Sequence, residues 1–209
     1  MSIRCQILER ACGDSLNSDA KESLNYLAGS ANRMQCLIRG LLEYAQIGHK
    51  EADFGLVDCN AVLKEVLADL EQSIRETKAS VVFSSLPKVY ANRIQLRRLF
   101  QNLIDNALKF HGRKPPQIEI KTRNENGDWI FEVVDNGIGI EPRYFKKIFA
   151  IFQRLHTSEE YPGTGIGLSI CQRIVDHHGG QIWVESNHGS GSTFGFSLPT
   201  KRDKYRRTA

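Results

Sequence analysis

The chain has 209 residues, 41% of them apolar, which is enough for one medium domain with a core of its own and a smaller element beside it. No apolar run approaches the roughly 18 residues that span a bilayer, and nothing resembles a signal peptide, so a membrane span is not expected and a cytoplasmic location is. The net charge of +4 matches the tail alone, where 201–207 hold five bases against one acid, so the body is neutral and a nucleic-acid partner is not expected.

The five cysteines (Cys5, Cys12, Cys36, Cys59, Cys171) are scattered and lack CxxC spacing, which fits reduced thiols and no zinc site. Ile3, Ile7 and Leu8 suggest the end of a first helix. From Leu24 the apolar positions run Leu27, Ala31, Met34, Ile38, Leu41 and Ala45, in steps of three and four. That 3.5-residue period is the seam of a coiled coil or helix bundle. Asp19 with Glu22 three residues on gives a start signal and Gly48 a stop. Two helices sharing one seam bury it well in a dimeric four-helix bundle; packing on the chain's own globular part is the alternative. The expected organisation is a helical hairpin over 1–48, a polar linker over 49–55, a globular domain over 56–200 and a basic tail over 201–209.

Within that domain an amphipathic helix is expected over 60–77 and strands over 80–83 and 89–91. A second helix is expected over 93–110, with Leu96, Leu99, Leu103 and Ala107 as its buried face. Strands over 117–122 and 129–135 follow, then a short helix near 142–149 and a helix over 167–177. A hairpin over 181–186 and 193–198, turning at 189–191, ends the domain. Helices on one face of a mixed, mostly antiparallel sheet make an α/β sandwich, an α+β fold.

Four stretches suit a bound polyphosphate nucleotide. On the helix over 93–110, Asn102, Asn106 and Lys109 share a stripe with Arg98 one turn earlier. Carboxamide oxygens there can ligate Mg²⁺ and the lysine can meet phosphate, although a polar stripe also fits a solvated face. Asp135-Asn136-Gly137-Ile138-Gly139-Ile140 ends an apolar strand. Its carboxylate can accept from an exocyclic amine, and its glycines let backbone approach a planar ligand; a tight Asx turn is the plainer reading. Gly163-Thr164-Gly165-Ile166-Gly167 opens a helix whose N–H groups favour phosphate oxygens, behind a polar segment over 153–162 and three phenylalanines, Phe145, Phe149 and Phe152. Gly189-Ser190-Gly191-Ser192-Thr193 turns the last hairpin, which a plain glycine turn also explains.

In this order, these stretches resemble the N, G1, F, G2 and G3 boxes of sensor histidine kinases, in the Bergerat (GHKL) fold: NLIDNALKF, DNGIGI, the phenylalanines, GTGIGL and GSGST. The upstream stretch is similar to the second half of the dimerisation and phosphotransfer region of phytochrome-type and multi-sensor kinases. The resemblance implies ATP and Mg²⁺ as cofactors, a homodimer, and a response-regulator receiver domain as partner. It implies that Asn106 ligates Mg²⁺, Lys109 contacts phosphate, and Asn102 lies near the phosphates and the acceptor histidine. Phe110 would pack on adenine and Asp135 would accept from its amino group, with Gly137, Gly139 and Ile140 beside the base. Gly163, Thr164, Gly165, Gly167 and Leu168 would shape the phosphate pocket, and Thr193 would line the adenine end.

The resemblance would also put the phospho-acceptor histidine about ten residues before Met1, so the chain is expected to be a fragment or a kinase without its own acceptor. The implied function is transfer of the ATP γ-phosphoryl to a histidine for relay to a response regulator. ATP hydrolysis, as in gyrase, mismatch-repair and chaperone ATPases, needs a glutamate base where Asn102 stands. A non-catalytic nucleotide-binding scaffold, or a histidine phosphotransfer-like protein, is the alternative that needs no transfer.

Overall fold

The computed structural model describes residues 17–48, 54–155, 157, 160–161 and 163–200. The expected first helix, most of the linker, the basic tail, Cys5, Cys12, His49 and His156 lie outside the described residues. The chain divides into two compact units, Met1–Glu43 and Tyr44–Ala209.

The first unit's described part is most of helix α1, Ser18–Gln46, 29 residues long. Its start is set by Asn17, whose side-chain oxygen accepts from the Ala20 N–H at 2.9 Å, and not by Asp19. An asparagine there satisfies an N–H that the first turn leaves without a partner. Leu27, Met34, Ile38 and Leu41, all on the 3.5-residue seam, are exposed, as are Tyr26 and Leu42 beside it.

The second unit is a sheet under helices. Strand β1 (Phe54–Asp58) pairs antiparallel with β3 (Lys88–Asn92) as a separate two-stranded ribbon. The sequence predicts no strand at 54–58, because one glycine and one aspartate among five residues leave little β signal. Asp58 then caps α2 (Cys59–Asp69), accepting from Asn60 and Ala61. The single helix expected over 60–77 is two: α2 stops at Leu70 (φ −94°, ψ 5°) and α3 (Glu71–Thr77) follows at once. Next come β2 (Ser80–Phe83), β3, and α4 (Arg93–Lys109). Strands β4 (Gln117–Glu125) and β5 (Asp128–Asp135) follow, then two 3₁₀ turns (Pro142–Tyr144, Lys147–Phe149) in place of the expected short helix. Helix α5 (Gly167–His177), β6 (Ile182–Ser186) and β7 (Ser192–Pro199) complete the unit.

The main sheet has the order β2-β4-β5-β7-β6, with only the β2–β4 pair parallel. Its inner face is apolar on alternate residues: Ile118 and Ile120 are buried while Gln117, Glu119 and Lys121 are exposed. Phe131 and Phe196 stack there at 4.9 Å, and Phe100 of α4 meets both edge-on. The four residues expected as the buried face of α4 are buried, with Phe100, Ile104 and Leu108 beside them. Burial of each such side chain stabilises the domain by about 1.5–3 kcal/mol.

Helices α4 and α5 are joined at a buried histidine. His178 Nε2 accepts from the Asn92 N–H at 3.1 Å, so the proton sits on Nδ1, which donates to the Ile174 carbonyl at 2.8 Å. Burial pushes its pKa down to about 4, so the ring is neutral.

Candidate functional site

The fold brings the four glycine- and asparagine-bearing stretches to one end of the sheet. Helix α4 ends at Lys109, and the Phe110 carbonyl accepts from the Ile138 N–H at 3.0 Å. A side chain on Gly137 would strike that same carbonyl. The Ile138 carbonyl accepts from the Gly189 N–H at 2.7 Å, so the turn before β7 is tied to the loop after β5. Three segments distant in sequence are thus held as one wall.

Asp135 is the last residue of β5, opposite Ser192 of β7 and Ile118 of β4. Its Oδ1 accepts from the Gly137 N–H at 2.8 Å and the Ser192 N–H at 3.1 Å. Burial raises its pKa, and these two N–H bonds oppose the rise by favouring the anion. Both bonds fall on one oxygen, which leaves Oδ2 as the acceptor a ligand amine could reach.

Ser186 organises the same corner. Its hydroxyl lies 2.7 Å from the Gly191 carbonyl, 3.0 Å from Ser192 Oγ, and accepts from the Ile140 N–H at 2.8 Å. A hydroxyl has one proton, and the carbonyl can only accept, so Ser186 donates to Gly191 and Ser192 donates to Ser186. Gly139 (φ +70°) and Gly191 (φ +86°) are required here. Each adopts a left-handed backbone, and a Cβ would run into the Asn187 carbonyl in the first case and the Asp135 carbonyl in the second.

Thr193 does not share this corner. It pairs with Val134 and Glu185, one step out of phase with Asp135, so its side chain takes the sheet's other face. Ser192 is the residue that meets Asp135.

The cationic part lies along α4. Asn102, Asn106 and Lys109 are half-buried on one stripe, as spacing implied. Asn102 Nδ2 is buried with no partner, and its Oδ1 faces Gly167 at the start of α5. Ile166, the N-cap of α5, supplies no side-chain acceptor to the first turn. Those N–H groups, with the Asn102 amide beside them, are suited to anionic oxygen. Lys109 Nζ stands next to Gly163 and 4.5 Å from the centroid of the Phe110 ring. Burial lowers its pKa, the nearby Asp105 opposes this, and Arg154 adds to it. Thr164, Gly165 and Leu168 are half-buried in the same loop and first turn, with Gly165 against Gln153 and Arg154.

Sequence assigns no individual role to four residues at this end: Ser186, and Ser192, Arg154 and Tyr161, which lie inside stretches already singled out. Arg154 donates to the Tyr161 carbonyl at 2.8 Å, and the Tyr161 ring lies 5.0 Å from that of Phe110. A cation and an aromatic inside a polar stretch were the available signals. Among the described residues, no group of three His, Cys, Asp or Glu side chains converges, so a metal here would rest on carboxamide and ligand oxygens.

The sequence profile of histidine kinase-, DNA gyrase B-, and HSP90-like ATPases matches residues 91–202. The phytochrome-like protein Cph1 of Synechocystis sp. is 46% identical over 194 residues, 93% of this chain and 26% of that protein. The chain therefore spans 26% of the length of that relative. Full-length ShkA in complex with AMPPNP superposes with a TM-score of 0.70 at 25% identity, over 94% of this chain and 41% of that one. Histidine kinase ThkA in complex with the response regulator TrrA does so with a TM-score of 0.70 at 25% identity, over 98% and 58%.

Proposed function

From the premise that this chain belongs to the histidine kinase-, DNA gyrase B- and HSP90-like ATPase family, in its histidine kinase branch, we propose that it binds ATP and passes the γ-phosphoryl to a histidine. The observation that carries this reading is Asp135. It is a carboxylate at a strand end with Oδ1 held by two backbone N–H groups, which leaves Oδ2 as the acceptor for a ligand amine, on the wall tied to Phe110. An ionised carboxylate accepts from the adenine amino group and repels the carbonyl that guanine presents at the same ring position.

The phosphates then extend toward Lys109, Arg154, Asn102 and the N-terminus of α5, where positive charge and free N–H groups gather. Asn106 would hold magnesium through its carboxamide oxygen, and the orphaned Asn102 Nδ2, a donor, suits a phosphate oxygen nearby. When bound, magnesium would offset part of the negative charge of the phosphates. In the transfer, a neutral imidazole nitrogen forms a bond to the γ-phosphorus. The bond to the bridging oxygen breaks, and ADP leaves with that electron pair. This chain's residues position the chain of phosphates and offset its charge.

The exposed seam of α1, Leu27, Met34, Ile38 and Leu41, supports a homodimer in which a second copy covers it. A response-regulator receiver domain is the proposed recipient of the phosphoryl group, as ThkA forms a complex with such a protein. A second enzymatic reading, ATP hydrolysis, is disfavoured because Asn102 cannot act as a base. Incubation with labelled Mg-ATP and an added helical hairpin carrying a histidine tests the proposal. Acid-labile, base-stable phosphate is expected on the added histidine; none there, with the chain folded, would refute it.

A further inference from the structure

The Phe110 ring is already occupied. Tyr161 lies 5.0 Å from it, centroid to centroid and tilted by 44°, and Lys109 Nζ lies 4.5 Å from the same centroid. Both separations are within contact range for an aromatic pair and a cation over a ring. A purine stacked on the part of the Phe110 ring that Tyr161 covers would have to displace it. Tyr161 is also tethered, because its carbonyl takes the Arg154 guanidinium at 2.8 Å. Arg154 in turn lies near enough to Lys109 to act on its charge.

We propose that Tyr161 is an internal competitor for the nucleotide: its ring holds the stacking surface of Phe110 while the site is empty, and the incoming base displaces it. This inference rests on the reading of the site as a nucleotide site and adds a residue that sets its affinity. Displacement of Tyr161 also frees the Arg154 guanidinium from the Tyr161 carbonyl, so arrival of the base makes a cation available to the phosphates. Apparent affinity is then reduced by the fraction of molecules in which Tyr161 lies on Phe110. An aromatic pair is strong enough to make that factor roughly two- to tenfold.

Two measurements on the full chain decide it. In the nucleotide-free protein, nuclear Overhauser contacts between the Tyr161 and Phe110 rings are expected, and saturating ATP should remove them. By calorimetry, Tyr161→Ala should bind ATP roughly two- to tenfold more tightly than the unmutated chain, whereas Tyr161→Phe, which keeps the ring, should match it. Weaker or unchanged binding by Tyr161→Ala, or ring contacts that persist with ATP bound, overturns the exchange while leaving the nucleotide site intact. If the ring contacts are present and neither protein binds ATP, the nucleotide reading fails and the exchange fails with it.

Discussion

The Ser192 N–H donates to Asp135 Oδ1 at 3.1 Å, joining two residues 57 positions apart at the ends of adjacent strands. Antiparallel pairing of β5 with β7 sets them opposite each other, and the Gly137 N–H completes the hold on the same oxygen. The carboxylate is fixed in place before any ligand arrives, which reduces the ordering cost of binding.

Asp135→Asn separates this hold from recognition. An amide oxygen can still accept both N–H bonds, so the melting temperature should fall by only a few degrees. Its NH₂ cannot accept from the adenine amine, and the loss of a charge-assisted bond, about 1.5–3 kcal/mol, predicts roughly tenfold or greater weakening of ATP binding. Calorimetry checks this, with GTP as the comparison. Similar affinity of the unmutated chain for GTP and ATP would remove Asp135 from the role of base reader.

Asn106→Ala should uncouple nucleotide from metal. Asn106 sits one turn after Asn102 on the same stripe of α4, half-buried, and its backbone carbonyl already holds the Phe110 N–H. Helix α4 should therefore persist while the side-chain oxygen is lost. ATP titrations with magnesium and with a chelator are expected to give different affinities in the unmutated chain and equal ones in the variant. A retained magnesium effect would place the metal elsewhere.

Gly191→Ala should damage fold and site together. The residue has φ +86°, and a Cβ would collide with the Asp135 carbonyl across the sheet. Left-handed strain and a backbone clash together cost at least ~2 kcal/mol. Urea unfolding should show that loss, with ATP binding reduced because the Ser186 hydroxyl loses the Gly191 carbonyl it donates to. Gly189→Ala, with open space at its Cβ but φ +84°, should cost less.

His178 predicts a pH window. Its folded pKa is depressed to about 4, from 6.5 for the exposed side chain, because burial disfavours the imidazolium. Between those values the unfolded chain binds a proton that the folded chain does not, so stability falls as pH falls from about 6.5 toward 4. Above 6.5 neither form is charged and the full stability is present. The loss attributable to this group approaches ~3 kcal/mol at the acid end. Urea unfolding at pH 7.5, 6 and 5 should show it, and His178→Gln, less stable at pH 7.5, should lose stability less steeply with acid. Parallel slopes for the two proteins would show that the ring does not resist protonation in the fold.

Much of this protein is written in local pattern. The buried face of α4 follows from the 3.6-residue recurrence of Leu96, Leu99, Leu103 and Ala107, and the bounds of α5 coincide with the expected ones because a glycine loop and a His-Gly pair bracket it. The nucleotide motifs were legible for the same reason: N–H-rich loops need glycine, and glycine is visible in sequence. The seam of α1 was equally plain, whereas its cap was not, because Asn17 and Asp19 are both good caps and only backbone geometry chooses between them.

Pairings between distant segments were beyond local reading. Strand β1 exists because β3 offers it a partner, and α2 gives way to α3 at Leu70 without a proline or glycine to announce it. Thr193 and Ser192 are neighbours with similar side chains, and only the register of β7 against β5 says which of them meets Asp135. A strand's side chains alternate faces, so one residue of register reverses every assignment along it. The placing of Ser186, Arg154 and Tyr161 depends likewise on chain closure over tens of residues. Sequence alone determined the family and the fold class, and it supports the kind of ligand proposed, because these rest on residue types at short spacing. Tertiary structure alone decided which side chains touch at the site, because that depends on strand register and loop closure between segments that carry no local signal of each other.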